Sequence, residues 1–297
     1  MSRTVTVGLD GSPESLAAAD LAAIEAHLRA VPLRVVHAGE QQPYAYAPFA
    51  AEAVALPGED RSARMLHDVE VSLTHRHPGL KITTEQLSGH PVTVLSVAAR
   101  EAEVLVLGSR GLGRAAGRLF GSVAPAVVGR AEGPVLLVRA GACVAGEHRA
   151  DTRGPASWAR PYRDVVLGLR LPGECAEAVL EFAFDAAARR ATGLRVVHGW
   201  KAMPSPWVGE GDESAMQPES ILTETLRPWR EKFPGVEVTE EAVIGRPGSH
   251  LADASRDALL VVLGRRRHHV SVGPHLGPVT HEVLQSASAP VAVVPHG

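Results

Sequence analysis

The chain has 297 residues, of which 45% are hydrophobic, and a formal charge of −3 from 30 basic and 33 acidic side chains. That apolar content suffices for two cores of the usual domain size of about 100–150 residues, while the near-balanced charge supplies no positive field for counterion release, so no nucleic-acid partner is expected. No run approaches the ~18–20 unbroken apolar residues of a membrane span, and the first ten residues read as a strand rather than a secretory leader, so the expected setting is cytoplasmic, with no membrane partner.

In chain order, short β-branched runs alternate with helical patterns, the mark of βαβ units and a parallel sheet. The spacing predicts strands at Thr4–Leu9, Leu33–Ala38, Lys81–Ser88, Val104–Gly108 and Val135–Arg139. Helices are predicted at Pro13–Ala30, Glu59–Thr74, Pro91–Glu101 and Ser122–Arg130. Ser12, Pro13 and Ser15 form a helix-opening signal, and Ser122 heads the fourth helix. A segment rich in Gly, Ala, Arg and Pro follows without periodicity and is taken as the linker, 141–163, between domains 1–140 and 164–297. The second domain repeats the order, with strands at Asp164–Leu169, Leu194–Gly199, Val236–Val243, Leu259–Gly264 and Val291–Pro295. Cys143 and Cys175 belong to no metal or redox pattern and are expected to be unpaired thiols.

The two series are copies. Arg34-Val-Val-His37 returns as Arg195-Val-Val-His198, and Gly89, Gly108 and Gly121 return as Gly245, Gly264 and Gly277, each displaced by 156 positions. A shared displacement across three glycines is the signature of a tandem repeat.

Open parallel sheets bind ligands beyond the carboxyl ends of their strands, where the strand order reverses. If each copy winds outward from its first strand and then returns to build the other side, the fold is α/β. It then has two tandem open, mostly parallel five-stranded sheets in the order 3-2-1-4-5, with helices on both faces. The first and fourth strands flank the crevice. Asp10-Gly-Ser-Pro follows the first strand, and a glycine-rich loop from Gly108 to Ser122 follows the fourth. Its glycines allow close backbone approach, and Gly121-Ser122 leads into a helix whose amides and dipole favour an anion such as phosphate. A flexible loop whose glycines serve only turn geometry is the competing reading. The chain has no P-loop sequence, and the glycines follow the wrong strand for a dinucleotide fingerprint.

With these residues in place, the chain resembles the universal stress protein family, over both halves. That family's ATP-binding motif is Gly-x-x-Gly, nine residues, then Gly-Ser/Thr; Gly108, Gly111, Gly121 and Ser122 match it, with Asp10 ending the first strand. The resemblance implies ATP, with or without Mg²⁺, in the first domain. Asp10 would face the ribose and adenine, and the backbone at Ala38 the adenine edge. Gly108 would lie beside the ribose, with Gly111, Gly121, Ser122 and the Val123 amide on the phosphates. It also implies dimerisation through the terminal strands, as an internal pseudo-dimer of the two copies or as a homodimer. Read from the residues alone, a helix cap is the competing role for Asp10.

The second copy departs from the motif. Arg170 stands where Asp10 stood, Arg267 replaces the second glycine, and Gly277-Pro278 replaces Gly-Ser. Pro278 has no N–H to offer a phosphate, so ATP binding of the family type is expected to be lost there. Arg265-Arg-Arg267-His-His269 keeps that loop cationic, either to hold another anion or as a solvated charge run.

Several features remain. His75, His77, His268, His269, His275 and His281 lack zinc-like spacing and are read as dispersed surface residues, whereas His37 and His198, at matching strand ends, are expected to be buried and hydrogen-bonded. Loops 39–56 and 199–218 carry Tyr44, Tyr46, Phe49, Trp200 and Trp207, suited to a lid, a partner surface or packing onto their own domain. Arg110, Arg114 and Arg118 offer phosphate countercharge or a basic face. The function expected is a nucleotide-binding regulatory or stress-adaptation module, with no catalytic residue assigned. A slow ATPase or adenylyl-transfer enzyme and a non-binding interaction module are the alternatives.

Overall fold

The first series forms β1 (Val5–Gly8), α1 (Pro13–Arg29), β2 (Leu33–Gly39), α2 (Pro57–Arg76), β3 (Ile82–Ser88), α3 (Pro91–Glu101), β4 (Val104–Gly108), α4 (Val123–Arg130) and β5 (Val135–Val138). The second forms β6 (Asp164–Leu169), α5 (Glu177–Arg189), β7 (Leu194–Trp200), α6 (Pro218–Lys232), β8 (Val238–Ile244), α7 (Pro247–Ala254), β9 (Ala258–Arg266), α8 (Pro278–Ser286) and β10 (Val291–His296), with a 3₁₀ turn at Ser255–Asp257 before β9. The computed structural model describes residues 3–39, 57–109, 123–139, 163–171, 177–200, 218–267 and 276–297, without the side chains of 57–60, 200, 218, 219 and 244. The chain divides into two compact units, Met1–Ala142 and Cys143–Gly297.

Within the first unit the strands lie parallel in the order β3-β2-β1-β4-β5, and within the second in the order β8-β7-β6-β9-β10. The order 3-2-1-4-5 therefore holds in each copy. α1 packs against α2 and α3 against α4, one pair on each face, as right-handed crossovers from a central strand require. Coverage on both faces explains why Val5, Val7, Val104, Leu105 and Val106 are each 1% exposed or less, in strands that read as continuous apolar runs. β3, at the edge, instead alternates toward solvent.

α1 buries a stripe of alanines, Ala18, Ala19, Ala22, Ala23 and Ala26, so its backbone approaches the sheet more closely than larger side chains would allow. The copies share even their unusual backbone: Ala30 and Ala191, after α1 and α5, have φ of 53° and 48°, and Gly89 and Gly245 have φ of 130° and 131°. No helix among the described residues is long and apolar enough to cross a membrane.

Candidate functional site

In the first unit the strand order reverses between β1 and β4, and three of the expected site residues lie there. The register pairs Gly8 with Val36 on β2 and with Leu107 on β4, which brings Asp10, Ala38 and Gly108 to neighbouring levels beyond those pairs. His37 ties the strand ends together. Its Nδ1 donates to the Leu9 carbonyl at 2.7 Å, which fixes the proton on Nδ1 of the neutral ring. The second copy repeats this, with His198, 2% exposed, donating from Nδ1 to the Leu169 carbonyl at 3.1 Å. Both histidines are hydrogen-bonded as the sequence suggested, although only His198 is fully buried.

Asp10 is exposed and braces the start of α1 without capping it. The cap is Ser12, whose Oγ accepts from the Ser15 amide at 3.2 Å, while Asp10 Oδ1 accepts from the Ser12 amide at 2.9 Å and from the Ser12 hydroxyl at 2.5 Å. Ser15 Oγ closes the ring by donating to the Ser12 carbonyl and accepting from the Asp10 amide. Gly11 between them has φ of 80°, and a Cβ there would lie 2.9 Å from the Met65 sulfur of α2. The positive φ favours glycine there, so the Asp10 carboxylate is held at the strand end by a turn that a Cβ would strain.

Gly108, at the end of β4, has a role the motif did not announce. A Cβ on it would stand 2.6 Å from Glu14 C and Ser15 N, the backbone of the first turn of α1. Its bareness lets helix and strand meet at the crevice. Ser109 follows, 8% exposed, donating its amide to the Val138 carbonyl at 2.6 Å. Val123 opens α4. Gly111, Gly121 and Ser122, with Arg110, Arg114 and Arg118, lie outside the described residues, as do the aromatic loops 40–56 and 201–217, both cysteines and His268, His269 and His275.

The matching place in the second unit is built differently. β9 extends through Arg265 and Arg266, paired with Pro295 and His296 of β10, and the Arg267 amide donates to the His296 carbonyl at 2.9 Å. The backbone that replaces the start of the glycine loop is thus committed to the sheet. Arg265 is 8% exposed; burial, and then the charge of Arg267, pull its guanidinium below its ordinary value. A Cβ on Gly264 would meet the His296 ring at 2.9 Å and Val179 Cγ2 at 3.2 Å, side chains rather than helix backbone. Arg170 is exposed after β6, and α8 begins at Pro278 behind a Gly277 cap that makes no side-chain bond.

Away from the crevice the structure gathers groups that the sequence does not connect. Arg29, its side chain 4% exposed, bonds Glu25 at 3.4 Å and Glu103 at 2.8 Å. The corresponding helix of the second copy has Ala186 and Arg190, and there Arg190 donates to the Ala186 carbonyl. His27 and His77, 50 positions apart, stack at 5.5 Å between ring centroids. No periodicity or spacing signals either cluster, because each depends on which helix ends the sheet brings together.

A doubly wound parallel domain occurring twice, with its crevice at the strand-order reversal and one intact acidic and glycine frame, defines a tandem switch-point binding fold. The family model described as "Universal stress protein family" matches residues 1–139 and 161–295. The chain belongs to the universal stress protein family. Universal stress protein Rv2005c of Mycobacterium tuberculosis is 33% identical over 97% of this chain and 96% of its own length, and Rv1996 of the same organism 30% identical over 97% and 94%. The crystal structure of a universal stress protein from Archaeoglobus fulgidus shares the fold at a TM-score of 0.70 and 18% identity, covering all of both chains.

Proposed function

We infer that the chain is a cytoplasmic ATP-binding regulator. Domain 1–140 holds one nucleotide, with or without Mg²⁺, and domain 164–297, beyond the 141–163 linker, holds none by the same motif. The observation that supports this is the contrast at equivalent places: Asp10 fixed by Ser12 beside Gly108 in one copy, and in the other the exposed Arg170 and Pro278, which has no N–H to offer at the head of α8. Carboxylate acceptors suit ribose hydroxyls, and amides of a glycine loop suit phosphate. In this reading Asp10 and the Ala38 backbone take the nucleoside, while Gly108, Gly111, Gly121, Ser122 and Val123 take the ribose edge and phosphates.

Calorimetric titration of the nucleotide-stripped chain with ATP and Mg²⁺ tests it. One site per chain, abolished by Gly121→Val, is the expected result. Two sites would overturn the assignment of the second domain, and none would leave a non-binding interaction module. Phosphate release in the same mixture separates storage of ATP from slow hydrolysis. Homodimerisation through a terminal strand belongs to the same proposal and is read as the mass in solution by light scattering.

A further inference from the structure

His27 sits in the last turn of α1, and His77 follows the last turn of α2, its amide still donating to the Leu73 carbonyl. Two helix C-termini thus end at one place, where their partial negative charge favours a cation. The two rings face each other at 41° with centroids 5.5 Å apart, and among the described residues no ring nitrogen of either takes a hydrogen bond. One zinc ion held by two imidazoles at about 2.0–2.1 Å and a tetrahedral angle places the ring centroids roughly 5 Å apart. The observed separation of 5.5 Å is close to that spacing.

We propose that His27 and His77 form a two-imidazole site for a divalent transition ion of intermediate softness, with Zn²⁺ as its representative, clasping the end of α2 to the end of α1. Among the described residues no group of three or more His, Cys, Asp or Glu is placed for a metal, so water completes the coordination shell. Imidazole pairs suit Zn²⁺, Cu²⁺ and Ni²⁺, whereas Mg²⁺ and Ca²⁺ prefer oxygen. Partial burial, then the nearby His27 and Arg76, hold the His77 imidazole below its ordinary value, with Asp20 opposing them.

The packing gives such a clasp something to do. Between α1 and α2 runs a groove of about 370 Å³ lined by Leu16, Ala19, Asp20, Val69, Ser72 and Arg76, with Leu16 43% exposed. The ion pair Arg76–Asp20, at 2.5 Å, bridges the two helices near the histidines. A metal there closes the seam from its end. Because α1 runs back from the crevice, the site lies at the opposite end of the strands from Asp10, and nucleotide binding is a separate readout.

The test uses the full chain stripped with a chelator and titrated with Zn²⁺ at pH 7 against a chromophoric competitor. As the chain carries 14 histidines, the differences between variants carry the result. His27→Gln and His77→Gln should each weaken the tightest Zn²⁺ site at least tenfold, whereas His75→Gln, on the exposed side of the same helix end, should leave it unchanged. Mg²⁺ at millimolar concentration should not compete. Equal Zn²⁺ affinity in the parent chain and the His27→Gln variant overturns the proposal, as does loss on His75→Gln alone. His27 is exposed, so its replacement keeps the test decisive even if His77→Gln impairs folding.

Discussion

Gly108 answers two demands at once. It stands at the crevice where a ribose neighbour is expected, and it also touches Glu14 and Ser15, whose backbone cannot swing aside as a side chain would. Gly108→Ala should therefore destabilise the chain by about 1–3 kcal/mol through overpacking, seen as a lower urea midpoint with an unchanged slope. Gly264→Ala, facing the movable His296 ring and Val179, should cost clearly less. A result in which both substitutions cost the same would remove the α1 contact as the reason for glycine at 108. The motif made Gly108 legible as a ligand residue, but its contact with α1 needed the three-dimensional crossing of helix and strand. Asp10 shows the reverse. Its residue type allows both a cap and a ligand carboxylate; the hydrogen bonds give the cap to Ser12, the head of the helix-opening signal, and leave Asp10 bracing it.

Among the elements, the two helices that follow the first strand of each copy stop in the same way. After α1 the Val31 amide bonds back to the Ala26 carbonyl, and after α5 the Thr192 amide bonds back to Ala187, with Ala30 and Ala191 in the left-handed region where glycine is the usual occupant. A Cβ in that conformation costs about 1–2 kcal/mol per residue, and glycine returns part of that gain to the unfolded chain. Ala30→Gly and Ala191→Gly should each stabilise by about 0.5–1 kcal/mol net, as a higher thermal midpoint of the unit concerned. The alternation of apolar runs and helical stripes revealed the order and type of the elements, and Val104–Gly108, Pro91–Glu101 and Asp164–Leu169 have the expected bounds. β9 does not, because three consecutive arginines read as a loop. A sheet ladder is made by backbone, and β10 is long enough to hold Arg265 and Arg266 whatever their side chains prefer.

At the scale of the whole chain, duplication has preserved architecture and released chemistry. Strand order, the histidine brace at His37 and His198 and the turn glycines Gly89 and Gly245 persist in both copies, while Asp10, Gly111 and Ser122 are replaced by Arg170, Arg267 and Pro278. The retained features hold the strand ends and turns of each sheet, and they are the ones the sequence displays twice. The replaced ones are those to which the proposed function gives a ligand role. The pairing of Arg265 and Arg266 along β10 does not depend on those replaced side chains. Restoring the familiar letters by Arg170→Asp, Arg267→Gly and Pro278→Ser changes side chains and returns one N–H at the head of α8. It leaves Gly264 through Arg266 bonded along β10, with the amide of residue 267 on the His296 carbonyl. Calorimetry of that triple variant should still count no more than one ATP per chain. In the proposed reading, a nucleotide site in the second copy requires a freed strand end as well as a rewritten motif.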